Sequence, residues 1–190
     1  MPPARKPPQL PKPHTTIATS RGTLRFYLGD CLDIFATLPE GSVSAIVTSP
    51  PYNLGVSYRS YDDTLPRDRY LEWTGRWIAG ARRVLDVTGS LFLNVGAKPT
   101  DPWTGMEVAM AARGHLALQN TIHWIKSIAI DKEAAGAAVN LTRDIAVGHY
   151  KPINSARFVN DCHEFIFHFT PEGRTPIARR SSGVRPSGVK

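Results

Sequence analysis

Ala45-Ile46-Val47-Thr48-Ser49-Pro50-Pro51-Tyr52-Asn53 is the stretch whose reading decides the fold. Ala45 to Thr48 is short, apolar and β-branched, the pattern of a buried strand. Two prolines then end it. Neither can donate to a sheet ladder, each holds φ near about −65°, and each biases the residue before it towards extended geometry. A stiff, non-helical corner therefore sits at the carboxyl end of a strand, where open α/β sheets place their ligands. The corner presents the Ser49 hydroxyl, the carbonyls of Ser49 and Pro50, and the aromatic face of Tyr52. Such groups can accept hydrogen bonds from a planar amine and stack on its ring.

Working outward, Leu24–Leu28 reads as a strand and Gly29 lets the chain turn. Asp30 suits the N-cap of a helix from Cys31 to about Leu38, which Pro39-Glu40-Gly41 ends. Strand, helix and strand in succession imply a parallel sheet. A polar loop from Asn53 to Pro66 follows, then a helix from Arg67 to Leu85 with Leu71, Trp77, Ile78, Ala81, Val84 and Leu85 on one face. Its aromatic residues read as core. Ser90–Val95 is an apolar strand, Trp103–Arg113 a helix and Leu116–Ile125 a strand. Ser127–Asp161 is loop-like and holds Lys151 and Arg157; a loop of that length inside a compact domain is usually functional. Glu164–Phe169 alternates as a strand. The expected units are a disordered, basic, proline-rich arm over 1–21, a catalytic unit over 22–173 and a basic flexible tail over 174–190.

With 190 residues, 42% of them hydrophobic and 21% charged, the chain has the size and balance of one soluble globular domain. It has no apolar run long enough to span a bilayer and no signal-peptide core, and its two cysteines, Cys31 and Cys162, do not make a disulfide framework. A cytoplasmic protein with reduced thiols is expected. The net charge of +7 invites a nucleic-acid partner, but residues 22–173 carry 14 basic against 16 acidic residues. The excess lies in the two ends, which could meet phosphates or simply be solvated.

Three segments then fall into a recognisable order: Phe26-Tyr27-Leu28-Gly29-Asp30-Cys31-Leu32, Leu38-Pro39-Glu40-Gly41-Ser42-Val43, and Thr48 to Tyr52. Their order and spacing resemble the amino-DNA methyltransferases of the permuted class, in which the catalytic half comes first. The resemblance implies transfer of a methyl group from S-adenosylmethionine to the exocyclic amine of a flipped cytosine (N4) or adenine (N6) in double-stranded DNA. It also implies an incomplete Rossmann-like α/β fold, mostly parallel with an antiparallel C-terminal hairpin. In the family's sheet order 3-2-1-4-5-7-6, this chain would supply strands 3, 4, 5, 6 and 7.

On the same resemblance Ser49, Pro50, Pro51 and Tyr52 form the catalytic corner. Ser49 Oγ and the Pro50 carbonyl accept the amine hydrogens, and Tyr52 stacks on the base. Asp30, with Cys31, falls at the cofactor, and Asp30 can cap its helix at the same time. Asn53, Trp124, Lys126 and Lys151 fall at the target base or DNA, although Trp124 suits a core position equally well. Serine before Pro-Pro points to N4-cytosine. The Pro-Cys nucleophile of cytosine-C5 enzymes is missing, because neither cysteine follows a proline. His163 and His168 lie five apart on a strand and face opposite sides, so no metal site is expected.

The resemblance also exposes a gap. No Gly-x-Gly occurs in the sequence, so the glycine turn that lets backbone approach the methionine moiety must come from a further C-terminal segment or from a partner, a second copy included. The competing reading is an inactive remnant or DNA-binding fragment. A methyltransferase acting on protein or RNA fits less well, since those with a related motif carry Asn where Ser49 stands.

Overall fold

The strand ahead of the two prolines forms and lies at one margin of a sheet. The computed structural model describes residues 12–133, 142–148 and 162–173. In chain order these form β1 (Thr15–Thr19), β2 (Gly22–Phe26), α1 (Cys31–Thr37), β3 (Val43–Thr48), α2 (Arg67–Val84), β4 (Leu85–Val95), α3 (Thr104–Ala112), β5 (Ala117–Ile125), β6 (Ser127–Ile130), β7 (Ile145–Gly148) and β8 (His163–Thr170). The main sheet has the order β3-β4-β8-β5. β3 and β4 are parallel, whereas β8 runs antiparallel to both β4 and β5. Three strands thus point one way and one points back. This is the 4-5-7-6 portion of the expected order, with the antiparallel pair where it was expected.

Alternation sorts the two faces of this sheet. Leu91, Leu93 and Val95 of β4 and Phe167 and Phe169 of β8 are buried, and join Tyr70, Trp77 and Ile78 of α2 and Val108 and Ala112 of α3 in one core. The residues between them, Phe92 and Asn94 on β4 and Glu164, Ile166 and His168 on β8, take the other face. His168 is settled there by stacking on Phe92, with ring centroids 4.5 Å apart, and by hydrogen-bond distances to Ser90 and Asn120. His163 instead lies beside His123 and Phe165.

α1 begins as its sequence dictates. The Asp30 carboxylate accepts from Leu32 N at 2.8 Å, and the helix ends before Pro39. It packs on α2 through Phe35, which lies so close to Gly80 that a Cβ there would sit 3.1 Å from the ring. Arg83 of α2 closes the contact by donating to the carbonyls of Phe35, which also accepts from Leu38 N at 3.1 Å, and of Leu38 at the C-cap.

Two expectations need correction. The arm was expected to be disordered through residue 21, but β1 and β2 form an antiparallel hairpin. The β-branched run Thr15-Thr16-Ile17 supplies the strand, and Thr19 closes the turn by donating to Gly22 O and accepting from Arg21 N. β2 therefore starts two residues earlier than expected and belongs to this separate ribbon. Likewise Ser127–Asp161 is not loop throughout: β6 and β7 pair antiparallel from Ser127↔Gly148 to Ile130↔Ile145. Lys151 and Arg157 lie outside the described residues.

Arg83→Ala leaves the Leu38 carbonyl without its Arg83 donor and the Phe35 carbonyl with Leu38 N alone. With the side chain partly exposed, the expected loss is about 1–2 kcal/mol. Urea unfolding should show a lower midpoint at an unchanged slope.

Candidate active site

The corner after β3 is held from beneath. Tyr70 of α2, fully buried, donates its hydroxyl to the Pro51 carbonyl at 3.1 Å. Burial pushes the Tyr70 phenol well above its ordinary range, so it stays a donor. The Pro50 carbonyl receives no hydrogen bond among the described residues, and Ser49 is exposed. The corner thus leaves the Pro50 carbonyl without a hydrogen bond among the described residues and Ser49 exposed, while the next carbonyl is tied to the helix.

From Ser49 a polar network runs across the end of the sheet. Ser49 Oγ and Tyr52 Oη are 2.6 Å apart. Asn94, near the carboxyl end of β4, donates its amide to Tyr52 Oη, and to Glu164 Oε2 at 2.7 Å. Glu164 Oε1 in turn pairs with Lys126 Nζ at 3.0 Å, and that ammonium lies 4.2 Å from the centre of the Trp124 ring. The neighbouring carboxylate fixes the orientation of Asn94, because turning the amide over would set oxygen against oxygen.

The same network locates the Tyr52 ring. Its carbons lie 3.0 and 3.2 Å from where a Cβ of Gly96 would be, so glycine is the residue that lets the ring lie against the end of β4. Half-burial raises the Tyr52 phenol, against the opposing pull of its Ser49 bond. It remains a neutral donor at ordinary pH.

The loop after the corner is built on one carboxylate. Asp63, 2% exposed, accepts from Asn53 N, Leu54 N and Val56 N at 2.8 to 3.0 Å. Asn53 takes a left-handed φ of 59°, a conformation asparagine tolerates. Its side-chain amide donates to Leu65 O at 2.8 Å. Asn53, expected at the base, is thus engaged within the loop. Tyr61 then packs on Trp73 of α2, which carries the loop onto the core.

Between α1, α2 and β3 lies a cavity of about 400 Å³, lined among others by Cys31, Thr48, Pro50, Pro51, Trp73 and Trp77. The structure therefore brings Cys31 and the Pro50-Pro51 corner to one space. The Cys31 thiol is raised, first by partial desolvation and then by the Asp30 carboxylate, so it is a poor nucleophile. Trp124 proves about half exposed, which removes it from the core. The Lys126 charge is already matched by Glu164.

Asn94, Gly96, Glu164 and Asp63 were not singled out from sequence. The available signal was a polar residue inside an apolar run: Asn94 within Leu91–Val95, and Glu164 opening Phe165–Phe169. Only the β4–β8 pairing, which sets Val95 opposite Phe165, shows that the two converge.

The sequence profile of the N6/N4 DNA methylase family matches residues 43–185. The chain belongs to that family. Among its relatives, the type II methyltransferase M.MjaVI of Methanocaldococcus jannaschii is 48% identical over 58 residues, 30% of this chain and 30% of that one. M.SfiI of Streptomyces fimbriatus is 34% identical over 136 residues, 60% of this chain and 32% of its own length. Of solved structures, the PvuII DNA methyltransferase, cytosine-N4-specific, superposes with a TM-score of 0.52 at 17% identity, over 78% of this chain and 49% of that one. The methylase chain thus spans a third or less of these curated relatives and about half of that structure. The fold is the Rossmann-like methyltransferase fold in incomplete form, a mixed sheet with β3 at its margin.

Asp63→Asn would aim an amide at backbone N–H groups that now share two carboxylate oxygens. The expected cost is about 2–3 kcal/mol. Amide hydrogen exchange should quicken at Asn53, Leu54 and Val56 and stay slow in the interior of α2; unchanged exchange at those three would refute the anchoring role.

Proposed function

We propose that this chain is the catalytic portion of an S-adenosylmethionine-dependent DNA methyltransferase acting on the exocyclic amine of a flipped cytosine (N4) or adenine (N6). The observation that carries the proposal is the exposed Ser49-Pro50 corner beside a Tyr52 ring pinned by Asn94. That amine is a poor nucleophile because its lone pair is delocalised into the ring. Hydrogen bonds from both of its hydrogens, one to the Pro50 carbonyl and one to Ser49 Oγ, favour a pyramidal nitrogen whose lone pair can attack. The Tyr52 ring offers the stacking face for the unpaired base. Positioning carries the step, and no covalent enzyme intermediate is formed.

S-adenosylmethionine, when bound, supplies the methyl group as a sulfonium. In this chain Asp30 uses one oxygen for the helix cap, and Cys31 and Pro50 line the 400 Å³ cavity. These residues suit one side of such a site. The glycine turn for the methionine moiety is not among the 190 residues. We infer that a further strand bearing it joins the outer edge of β3, where Val47 is 80% exposed and where no strand pairs among the described residues. That strand comes from the rest of the natural polypeptide or from a partner, a second copy included.

The substrate is double-stranded DNA, and Ser49 favours N4-cytosine. No helix among the described residues is long and apolar enough to cross a membrane. Location in the cytoplasm, where DNA and cofactor meet, is part of the proposal.

Nucleoside mass spectrometry of DNA treated with the natural polypeptide should reveal N4-methylcytosine. N6-methyladenine as the sole product would move the base assignment, and no methylated base at all would defeat the proposal in favour of a DNA-binding remnant. In the active enzyme Tyr52→Ala should lose stacking of about 1–3 kcal/mol, read as kcat/KM. By calorimetry, the 190-residue chain alone should bind S-adenosylmethionine more weakly than micromolar; tight binding would mean that other residues replace the glycine turn.

A further inference from the structure

The network directs the Asn94 amide hydrogens, and with them a polarity that bears on what Ser49 can still offer. Asn94 has two amide hydrogens, and Glu164 Oε2 and Tyr52 Oη are their nearest acceptors. Ser49 Oγ lies farther from the same nitrogen, at 3.5 Å. Tyr52 Oη, receiving one hydrogen from Asn94, has its own left to give, and Ser49 Oγ at 2.6 Å is the acceptor within reach. The 2.6 Å contact admits either hydroxyl as donor, and the polarity that runs from Asn94 through Tyr52 to Ser49 gives the Tyr52 hydrogen an acceptor. A hydroxyl has one hydrogen and two lone pairs. In that polarity Tyr52 fills one lone pair of Ser49. One lone pair and the hydrogen remain, on an exposed side chain.

The edge of a base that carries an exocyclic amine offers the complement of those two. In cytosine the N4 amine adjoins N3, and in adenine the N6 amine adjoins N1; each ring nitrogen is an acceptor beside a donor. We propose that Ser49 reads this whole amidine edge, accepting one amine hydrogen while donating its own hydrogen to the adjacent ring nitrogen, with Tyr52 and Asn94 as the positioning residues that hold it in that polarity. This deepens the reading above and rests on it. One hydrogen bond leaves a flat base free to turn in its own plane on the Tyr52 face. Two bonds to neighbouring atoms stop that rotation and bring the second amine hydrogen to the Pro50 carbonyl. A base with a carbonyl at that position would set oxygen against the Pro50 oxygen, so the serine and the proline together select an amine next to an unprotonated nitrogen.

The test uses the natural polypeptide, S-adenosylmethionine and duplexes whose methylated position carries the natural base or its deaza analogue. If the product is N4-methylcytosine the analogue is 3-deazacytosine, and if N6-methyladenine it is 1-deazaadenine. Each replaces the ring nitrogen by C–H and keeps the amine. Because the analogue also changes amine reactivity, the quantity read is the natural-to-analogue ratio of kcat/KM in wild type divided by that in Ser49→Ala. The expected value is roughly five- to tenfold, the worth of one neutral hydrogen bond. Tyr52→Phe, which keeps the ring but frees the serine lone pair, should bring the ratio part of the way down. Duplex Kd values, measured in parallel without turnover, give the same ratio if Ser49→Ala is too slow to assay. A ratio near one by both measures overturns the proposal while methyl transfer itself survives. Absence of transfer to any duplex defeats the underlying enzyme reading instead.

Discussion

Two consecutive prolines at the end of β3 take two N–H donors out of the backbone, and the site depends on that subtraction. A strand that could continue pairing would run on beside β4 and bury its carbonyls in the ladder. Here the chain must leave the sheet after Thr48, and it does so with no hydrogen bond to the Pro50 carbonyl among the described residues and the Pro51 carbonyl passed to Tyr70. Everything that follows serves to hold the departing segment in place. Tyr70 supports it from the core, Asp63 gathers the loop beyond it, and Asn94 fixes the one aromatic ring it carries.

Much of this could be read without coordinates, because the signals were local. β3 announced itself by composition, α1 by its Asp30 cap and Pro39 stop, and α2 by an apolar stripe that the structure buries at Trp77, Ile78, Ala81 and Val84. The hairpins β1–β2 and β6–β7 were not legible for opposite reasons. The first follows a proline-rich segment whose composition masks a short β-branched run. The second is four residues a side, too brief for alternation to stand out. Asn94 and Glu164 were missed because periodicity tells which face a residue takes, not which neighbour it meets across the sheet. Their meeting is a property of register, and register is long-range.

The network is also instructive about charge. Lys126 and Glu164 form the ion pair, but the amide of Asn94 carries its influence to Tyr52 without moving a charge there. A carboxylate at position 94 would place two anions side by side and reverse the hydrogen-bond direction. An amide next to Glu164 holds one polarity only. The neutral Tyr52, raised by its burial, links the Asn94 amide to the Ser49 hydroxyl.

The position of β8 has a kinetic consequence. It is the last of the four strands in sequence, yet it lies between β4 and β5, so both of those must be partly in place before it can pair on both sides. Its contacts with β4 close loops of about seventy residues or more, judged from Leu91↔Phe169 and Val95↔Phe165. Pairings of that span form late, after local helices and the β3–β4 unit. Glu164 rides on this strand. A chain whose β8 has not inserted would therefore lack the carboxylate that orients the Asn94 amide, and the hydrogen bonding around Tyr52 would take its final direction only when that strand pairs. Closure of this sheet and alignment of the corner's hydrogen bonds are one event.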